Sequence, residues 1–110
     1  MGIRSLDKQQ RQAYFERVSR ELGTTEAQLE VAGAQLGAQQ GSDWVRLMGL
    51  TYDPRTDSME VSLEALDHLI QHPQEIYVDD GAEGLQSVEI IDADNSKQII
   101  RLRQPLPLPH

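Results

Sequence analysis

Hydrophobic and polar residues alternate through much of residues 44–103, in short runs separated by Asp, Asn, Gly, Ser and Pro. A period of two is typical of strands that bury one face, and the separating residues are those that favour turns. Five runs have this pattern, at about 44–52, 58–63, 75–79, 87–90 and 100–103. The sequence therefore predicts a small antiparallel sheet.

The first of these runs allows the two faces of a strand to be assigned. If alternation is strict, Met48 shares a face with Leu50 and Tyr52, while Leu47 lies on the opposite face. We expect one of these two faces to contact the core.

The N-terminal segment has the spacing of a helix instead, predicted from about Lys8 to Leu22. Asp7 is a suitable N-cap with Gln10 three residues later, which is a capping-box arrangement. Gly23 favours the left-handed backbone conformation that commonly ends a helix. The apolar residues of the segment recur at helical spacing and would face the sheet: Tyr14, Phe15, Val18 and Leu22.

Charged residues replace this apolar stripe at the start of the helix. Arg4, Lys8 and Arg11 occupy the equivalent positions, so we expect the first two turns to overhang the core or to lie along its edge. Residues 1–20 contain five basic and two acidic side chains, a net charge of +3, whereas the remainder contains five basic and sixteen acidic ones. The favoured interpretation is that this basic helix lies against the acidic body of its own chain; the alternative is docking to an acidic partner.

Residues 24–41 give conflicting signals. Thr25 followed three residues later by Gln28 is typical of a capped helix start, and the residues after them have high helix propensity. However, Leu29 and Val31 alternate with polar neighbours, and the glycines at positions 33 and 37 would weaken a helix. A strand over about 28–33, followed by a short extended segment, is the favoured interpretation.

A second, shorter helix is predicted between the third and fourth strands of this chain. Ala65, Leu66, Leu69 and Ile70 switch to helical spacing for about two turns, and Pro73 would end the helix. The predicted fold is one α+β domain over residues 1–110. In it, the N-terminal helix packs on a five- to six-stranded antiparallel sheet, a meander or small curled barrel, with the short helix before the last three strands.

Composition narrows the possible classes of protein. A chain of 110 residues can bury a core in one domain, and with no cysteine it has no disulfide, thiolate metal site or cysteine nucleophile. No signal-peptide pattern and no apolar run of membrane-spanning length is present, which predicts a cytoplasmic protein without membrane contact. The net charge of −8 disfavours nucleic acid as a partner.

Motifs for catalysis or cofactor binding are missing from the sequence. There is no nucleophile elbow, no phosphate-binding loop and no dinucleotide fingerprint. We therefore predict no catalytic residues and no cofactor, and the sequence favours a protein that is not an enzyme.

Two histidines form the strongest candidate for metal-binding chemistry. His68 and His72 are four residues apart on the predicted short helix, which would place both imidazoles on one helix face, and Asp67 could supply a carboxylate. The metalloprotease motif with this spacing requires Glu after the first His, where this chain has Leu69. A metal- or ligand-binding protein or enzyme that uses these residues is the alternative hypothesis.

An apolar patch on the outer side of the sheet is the main candidate for function. If Val88, Ile90, Ile100 and Leu102 face the helix, then Ile91 and Ile99 lie on the opposite face with Tyr77, and Arg101 lies at the rim. Apolar patches on a face that should be solvated often mark interfaces. The sequence thus predicts a non-enzymatic interaction or regulatory module that binds a protein partner or a second copy of itself through this face.

Several segments resemble an uncharacterised family of short bacterial proteins, catalogued as a domain of unknown function. The resemblance covers most of the chain and lies in these motifs: Gly49-Leu50-Thr51-Tyr52-Asp53-Pro54, Leu66-Asp67-His68-Leu69-Ile70, Pro73, Ile76-Tyr77-Val78-Asp79 and Val88-Glu89-Ile90-Ile91-Asp92-Ala93-Asp94. It implies a shared bacterial fold and a strand at 28–33. It implies no activity and no catalytic residues.

Overall fold

The computed structural model of the chain describes residues 2–33, 37–39, 43–64 and 66–108. Within these ranges the chain forms one α-helix and nine β-strands, and the predicted α+β class, with an N-terminal helix on an antiparallel sheet, is confirmed. In chain order the elements are β1 Ile3–Ser5, α1 Lys8–Glu21, β2 Glu26–Gly33, β3 Gly37–Gln39, β4 Val45–Asp53, β5 Ser58–Leu63, β6 Leu66–Gln71, β7 Pro73–Gly81, β8 Gly84–Asp92 and β9 Lys97–Leu106.

Eight of the strands form one open antiparallel sheet in the order β1-β7-β8-β9-β2-β4-β5-β6, and β3 pairs with the end of β2. The predicted count of five to six strands is therefore wrong. The order is not that of a meander either, because β2 lies between β9 and β4. Strands as short as β1 and β3 carry too few residues for alternation to be recognised.

The predicted short helix is also wrong, because residues 66–71 are the edge strand β6. They pair with β5 along its whole length, from Ser58 opposite Gln71 to Leu63 opposite Leu66. Two turns of isolated helix gain few hydrogen bonds, whereas β5 offers a complete ladder. Of the apolar residues that suggested a helix, Ile70 is buried and Leu66 and Leu69 are exposed; Ala65 lies outside the described residues.

A sharp corner at His72 connects β6 to β7. Its backbone has φ of 51°, in the left-handed region, and its N–H donates to the carbonyl oxygen of Asp57 at 2.8 Å. The residue before a proline is pushed out of the right-handed helical region, and here it turns the chain instead of ending a helix. Pro73 therefore begins β7.

A β-bulge in β4 overturns the predicted assignment of faces. The pairing with β5 shifts register between Leu47 and Gly49, so Leu47 and Leu50 are both buried while Met48 is exposed. The Ser19 hydroxyl of α1 meets the strand just beyond the bulge: it donates to the Leu50 carbonyl oxygen at 2.8 Å and accepts from the Leu50 N–H at 3.0 Å. The bulge and this contact fix α1 against β4.

The strand predicted at 28–33 is confirmed as β2, which pairs with β9 and, at its start, with β4. The predicted apolar stripe of α1 is buried as well, and Gly23 after the helix has φ of 52°. Together these elements enclose one hydrophobic core. In the described ranges, no helix is long and apolar enough to cross a membrane.

Arg11 contradicts one of the two predicted positions for the first turns of the helix, that in which they overhang the core; the other, along the edge of the core, stays a prediction. Only 3% of this residue is exposed. Its Nη1 donates to the Pro73 carbonyl oxygen at 3.1 Å and its Nη2 to the Gln74 carbonyl oxygen at 3.3 Å, and its guanidinium lies 5.3 Å from the ring centre of Tyr52. The charge is tolerated inside because these carbonyls and the aromatic ring replace water.

Asp57, in the turn between β4 and β5, completes the charge balance around Arg11. One carboxylate oxygen accepts a 2.6 Å hydrogen bond from the Tyr52 hydroxyl and lies 3.9 Å from Arg11 Nη1. The other lies 3.5 Å from His72 Nδ1. The bond from Tyr52, together with nearby cations such as Lys8, lowers the pKa of Asp57 below its ordinary value. Arg11, Tyr52, Asp57 and His72 are called the Arg11 cluster below.

Replacement of Arg11 by methionine tests whether the cluster holds the helix in place. We expect Arg11→Met to lower the free energy of unfolding by roughly 3 kcal/mol, because it leaves the Pro73 and Gln74 carbonyls without their donor and removes a buried positive charge from beside Asp57. The change is measured by urea denaturation at pH 7. Arg20→Met is the matched control, since Arg20 is exposed on the same helix. Equal stability of the two variants would contradict a structural role for the cluster.

Candidate functional site

The face of the sheet that points away from the core is formed by β7, β8, β9 and β2, which lie side by side. Their inward residues are buried, and the alternate residues face outward. We call the following set the outer sheet face: Glu75, Tyr77 and Asp79 on β7, Ser87, Glu89 and Ile91 on β8, Lys97, Ile99, Arg101 and Arg103 on β9, and Glu26, Gln28 and Glu30 on β2.

The structure places all four residues predicted as interface candidates on this face. Tyr77 lies opposite Glu89, which lies opposite Ile99. Ile91 lies opposite Lys97, so Ile91 and Ile99 are diagonal neighbours on adjacent strands instead of a directly opposed pair. The side chains of Tyr77, Ile91 and Ile99 are half-buried, and Arg101 is exposed beside them.

Ion pairs on the outer sheet face organise the charges around these apolar side chains. Arg101 contacts Glu30 at 2.6 Å, Arg103 contacts Glu26 at 2.9 Å, and Lys97 Nζ lies 3.3 Å from a carboxylate oxygen of Glu89. The basic residues are therefore concentrated on β9, between acidic residues of β2 and β8. Exposed pairs of this kind add little stability, so their main effect is on the pattern of charge.

A groove crosses the outer sheet face at Tyr77 and Ile99. It has a volume of about 230 Å³, and Ile3 of β1, with 65% of its surface exposed, lines one side. The negative charge of Glu75, together with a hydrogen bond to it, raises the pKa of the Tyr77 phenol above its ordinary value, so the hydroxyl stays protonated. The groove thus combines apolar side chains with polar and charged ones, since Asp79, Ser87, Glu89 and Arg101 also line it.

A second depression, of about 320 Å³, adjoins the groove and shares Asp79, Ser87 and Arg101 with it. Trp44 lines its far end, with the guanidinium of Arg103 lying 5.9 Å from the Trp44 ring centre. Sequence reasoning missed Trp44 and Ile3 as members of this site. An aromatic residue just before a strand and an isolated apolar residue near the N-terminus were the only signals available.

The three residues predicted to bind metal are not brought together by the structure. Asp67 and His68 are neighbours on β6 and so point to opposite faces, and His72 lies at the corner four residues from His68. An extended segment of that length separates them by on the order of 10 Å, instead of one helical turn. Across the part of the chain that the structure describes, no group of three His, Asp or Glu residues is arranged to hold a metal ion.

His68 faces inward, on the same side of β6 as the buried Ile70. Its Nε2 atom is buried and has no hydrogen-bond partner among the described residues. Burial lowers the pKa of His68 below its ordinary value, and the negative charge of Asp92 opposes this shift only in part. Asp92 itself accepts hydrogen bonds from Ser96 N–H and Gln98 Nε2 at 3.0 and 3.3 Å, which orient its carboxylate within the turn after β8.

Comparison with known proteins gives a family and no activity. A family model described as "Family of unknown function (DUF5335)" matches residues 2–110. A protein of Aquifex aeolicus (strain VF5), titled "Uncharacterized protein", is 36% identical over 110 residues, which covers 99% of each chain. No solved structure matches the chain.

The environment of His68 predicts a measurable titration. We expect NMR to give a ring pKa below 6.5, because burial disfavours the imidazolium. The unfolded chain, in which His68 has its ordinary pKa of about 6.5, binds a proton at a higher pH than the folded chain does. The free energy of unfolding should therefore fall as the pH drops from about 6.5 through the pKa of the folded state. In His68→Gln, this part of the pH dependence should disappear, and the variant also assigns the resonance. A ring pKa at or above 6.5 would contradict the buried environment.

Proposed function

The chain belongs to the family of unknown function DUF5335, and we propose that it is a non-enzymatic interaction module that associates with a second copy of itself through the outer sheet face. We place this module in the cytoplasm of a bacterium, because the chain has no cysteine to form disulfides and its relative is bacterial.

The observation that carries the proposal is the groove where Ile3, Tyr77 and Ile99 meet, bordered by the polar and charged residues Asp79, Ser87, Glu89 and Arg101. An exposed isoleucine and two half-buried side chains meet there on a face that the helix does not cover. Apolar residues grouped in this way on a sheet face are typical of association surfaces. Tyr77 is well suited to such a surface because it offers both an apolar ring and a donor hydroxyl.

The pattern of charge supports a second copy as the partner. A two-fold interface uses the same surface from both subunits, so the surface must be complementary to itself. The basic residues of β9 lie directly beside acidic residues of β8 and β2, so each copy offers both signs of charge to the other. A large polyanion is a poor alternative partner because the chain carries a net charge of −8.

The size of the outer sheet face also suits a dimer. Four strands of about nine residues cover roughly 600 Å² at normal strand spacing, so two copies would bury roughly 1,200 Å² together. Specific interfaces begin at about that area, and those at the lower end are commonly reversible. We therefore expect a dimer in equilibrium with monomer.

The alternative hypothesis, a metal- or ligand-binding protein or enzyme at His68 and His72, has less geometric support. It depended on a helix that would place both imidazoles on one face, and residues 66–71 form a strand instead. Asp67 points away from His68, and His72 Nδ1 lies 3.5 Å from a carboxylate oxygen of Asp57 in the Arg11 cluster.

The substitution Ile99→Lys tests the proposed dimer. A glutamate at this position would lie beside Glu89 and Glu30 and would repel them, whereas a lysine can pair with either one in the monomer. In the dimer the same lysine would have to lose its hydration inside the interface. We expect the wild type to sediment as a concentration-dependent dimer and Ile99→Lys to sediment as a monomer with a similar melting temperature.

Leu69→Lys is the matched control. Leu69 is exposed on β6 and lies opposite Glu60, so its lysine also gains a glutamate neighbour, at the far end of the sheet order. We expect this variant to remain dimeric. A wild type that is monomeric at all concentrations would overturn the proposal, as would dissociation caused by Leu69→Lys but not by Ile99→Lys.

A further inference from the structure

We propose that a cavity between α1, the turn joining β7 to β8, and the end of β9 binds a small monocarboxylate with an apolar body, through the guanidinium of Arg17. The cavity has a volume of about 380 Å³, within the range of small-ligand sites. It shares no lining residue with the groove of the outer sheet face or its adjoining depression, so it is independent of the proposed dimer.

The carboxylate of Asp80 at this cavity is already fully engaged. Its Oδ1 accepts from Arg4 Nε at 3.1 Å, and its Oδ2 accepts from Arg4 Nη2 and from the Tyr14 hydroxyl, each at 2.9 Å. This fork-like pairing neutralises the charge of Arg4. Burial of the Tyr14 ring and its bond to Asp80 raise the pKa of the phenol, so it remains a neutral donor. Asp80 is therefore committed to Arg4 and Tyr14.

Arg17 is left with a positive charge that no acidic side chain among the described residues pairs with. It makes no ion pair with the rest of the described chain, and its Nε is buried without a hydrogen-bond acceptor. Its guanidinium lies 5.3 Å from the ring centre of Tyr14, and that of Arg4 lies 5.6 Å from the same centre. Two cations thus share one aromatic ring while only one has a carboxylate. An anion in the cavity beside the Arg17 guanidinium would relieve the imbalance of charge.

The rest of the cavity determines which anion fits best. Leu85, Pro107 and Leu108 supply apolar walls, and the turn residues Gly81, Ala82 and Gly84 line the rest, beside the charged side chains of Arg4, Arg17 and Asp80. Gly84 has φ of 119°, and a Cβ there would collide with the carbonyl oxygen of Leu106, so the turn and the end of β9 are held in direct contact. One unbalanced positive charge beside an apolar wall favours an anion with a single charge and an apolar body, which is a monocarboxylate. A multiply charged phosphate is disfavoured further, because the chain carries a net charge of −8.

Ligand titration by NMR tests this site with 4-methylpentanoate as the probe. In the wild type we expect saturable shift changes centred on the amides of Gly81, Gly84 and Leu85. Binding should be at least about tenfold weaker for Arg17→Gln, because a charge-assisted bond to the carboxylate is lost. Arg20→Gln removes the same charge from an exposed position of α1 and should bind as the wild type does.

Two further probes, 4-methylpentanamide and inorganic phosphate, separate charge from shape. Weaker binding of the neutral amide and of phosphate is the expected result. The proposal is overturned if the carboxylate does not saturate, if either other probe binds as tightly, or if Arg17→Gln binds unchanged. Wild-type shift changes centred away from the β7–β8 turn also overturn it, and that measurement does not depend on how well the variant folds.

Discussion

The position of the helix on the sheet depends on the buried guanidinium of Arg11. The pairing of β7 with β8 shifts register between Pro73 and Glu75, which leaves an irregular start to β7 just after the corner at His72. Arg11 supplies hydrogen bonds to the carbonyls of Pro73 and Gln74 at that point. Because buried carbonyls need donors, a single side chain stabilises the helix, the corner and the irregular start of β7 together. Asp57 then balances the charge from the opposite turn.

This arrangement explains why the candidate sites lie where they do. Helix α1 lies on the inner face of the open sheet, with Ser19 fixing it to β4 and Arg11 fixing it to β7. The outer sheet face keeps half-buried Tyr77 and Ile99 and alternating charges, which is the basis for the proposed self-association. At the β7–β8 turn, the commitment of Asp80 to Arg4 leaves Arg17 unbalanced, so the two proposed sites have separate physical causes.

Strict alternation and helical spacing were sufficient to predict α1, β5, β7, β8 and β9, together with the face that holds Tyr77, Ile91 and Ile99. Part of the basic N-terminal charge meets the chain's own acidic residues, since Arg4 of β1 pairs with Asp80 and Lys8 of α1 lies near Asp57. The errors arose where tertiary pairing overrode local pattern. Helical spacing in 66–70 was outweighed by the ladder with β5, and one bulged residue, Met48, exchanged the faces of β4.

The burial of Arg11 could not be predicted, because its acceptors are backbone carbonyls distant in sequence, which leave no signal in composition.

The most direct test of the outer sheet face as the association surface is cross-saturation NMR on a mixture of deuterated, nitrogen-labelled chains and unlabelled protonated chains. Irradiation of the protonated copies reduces amide signals only where the two copies touch. The account predicts loss of intensity centred on Tyr77, Glu89 and Ile99. Loss centred on the exposed edge Leu66–Gln71, or no loss at a concentration where the protein sediments as a dimer, would contradict it.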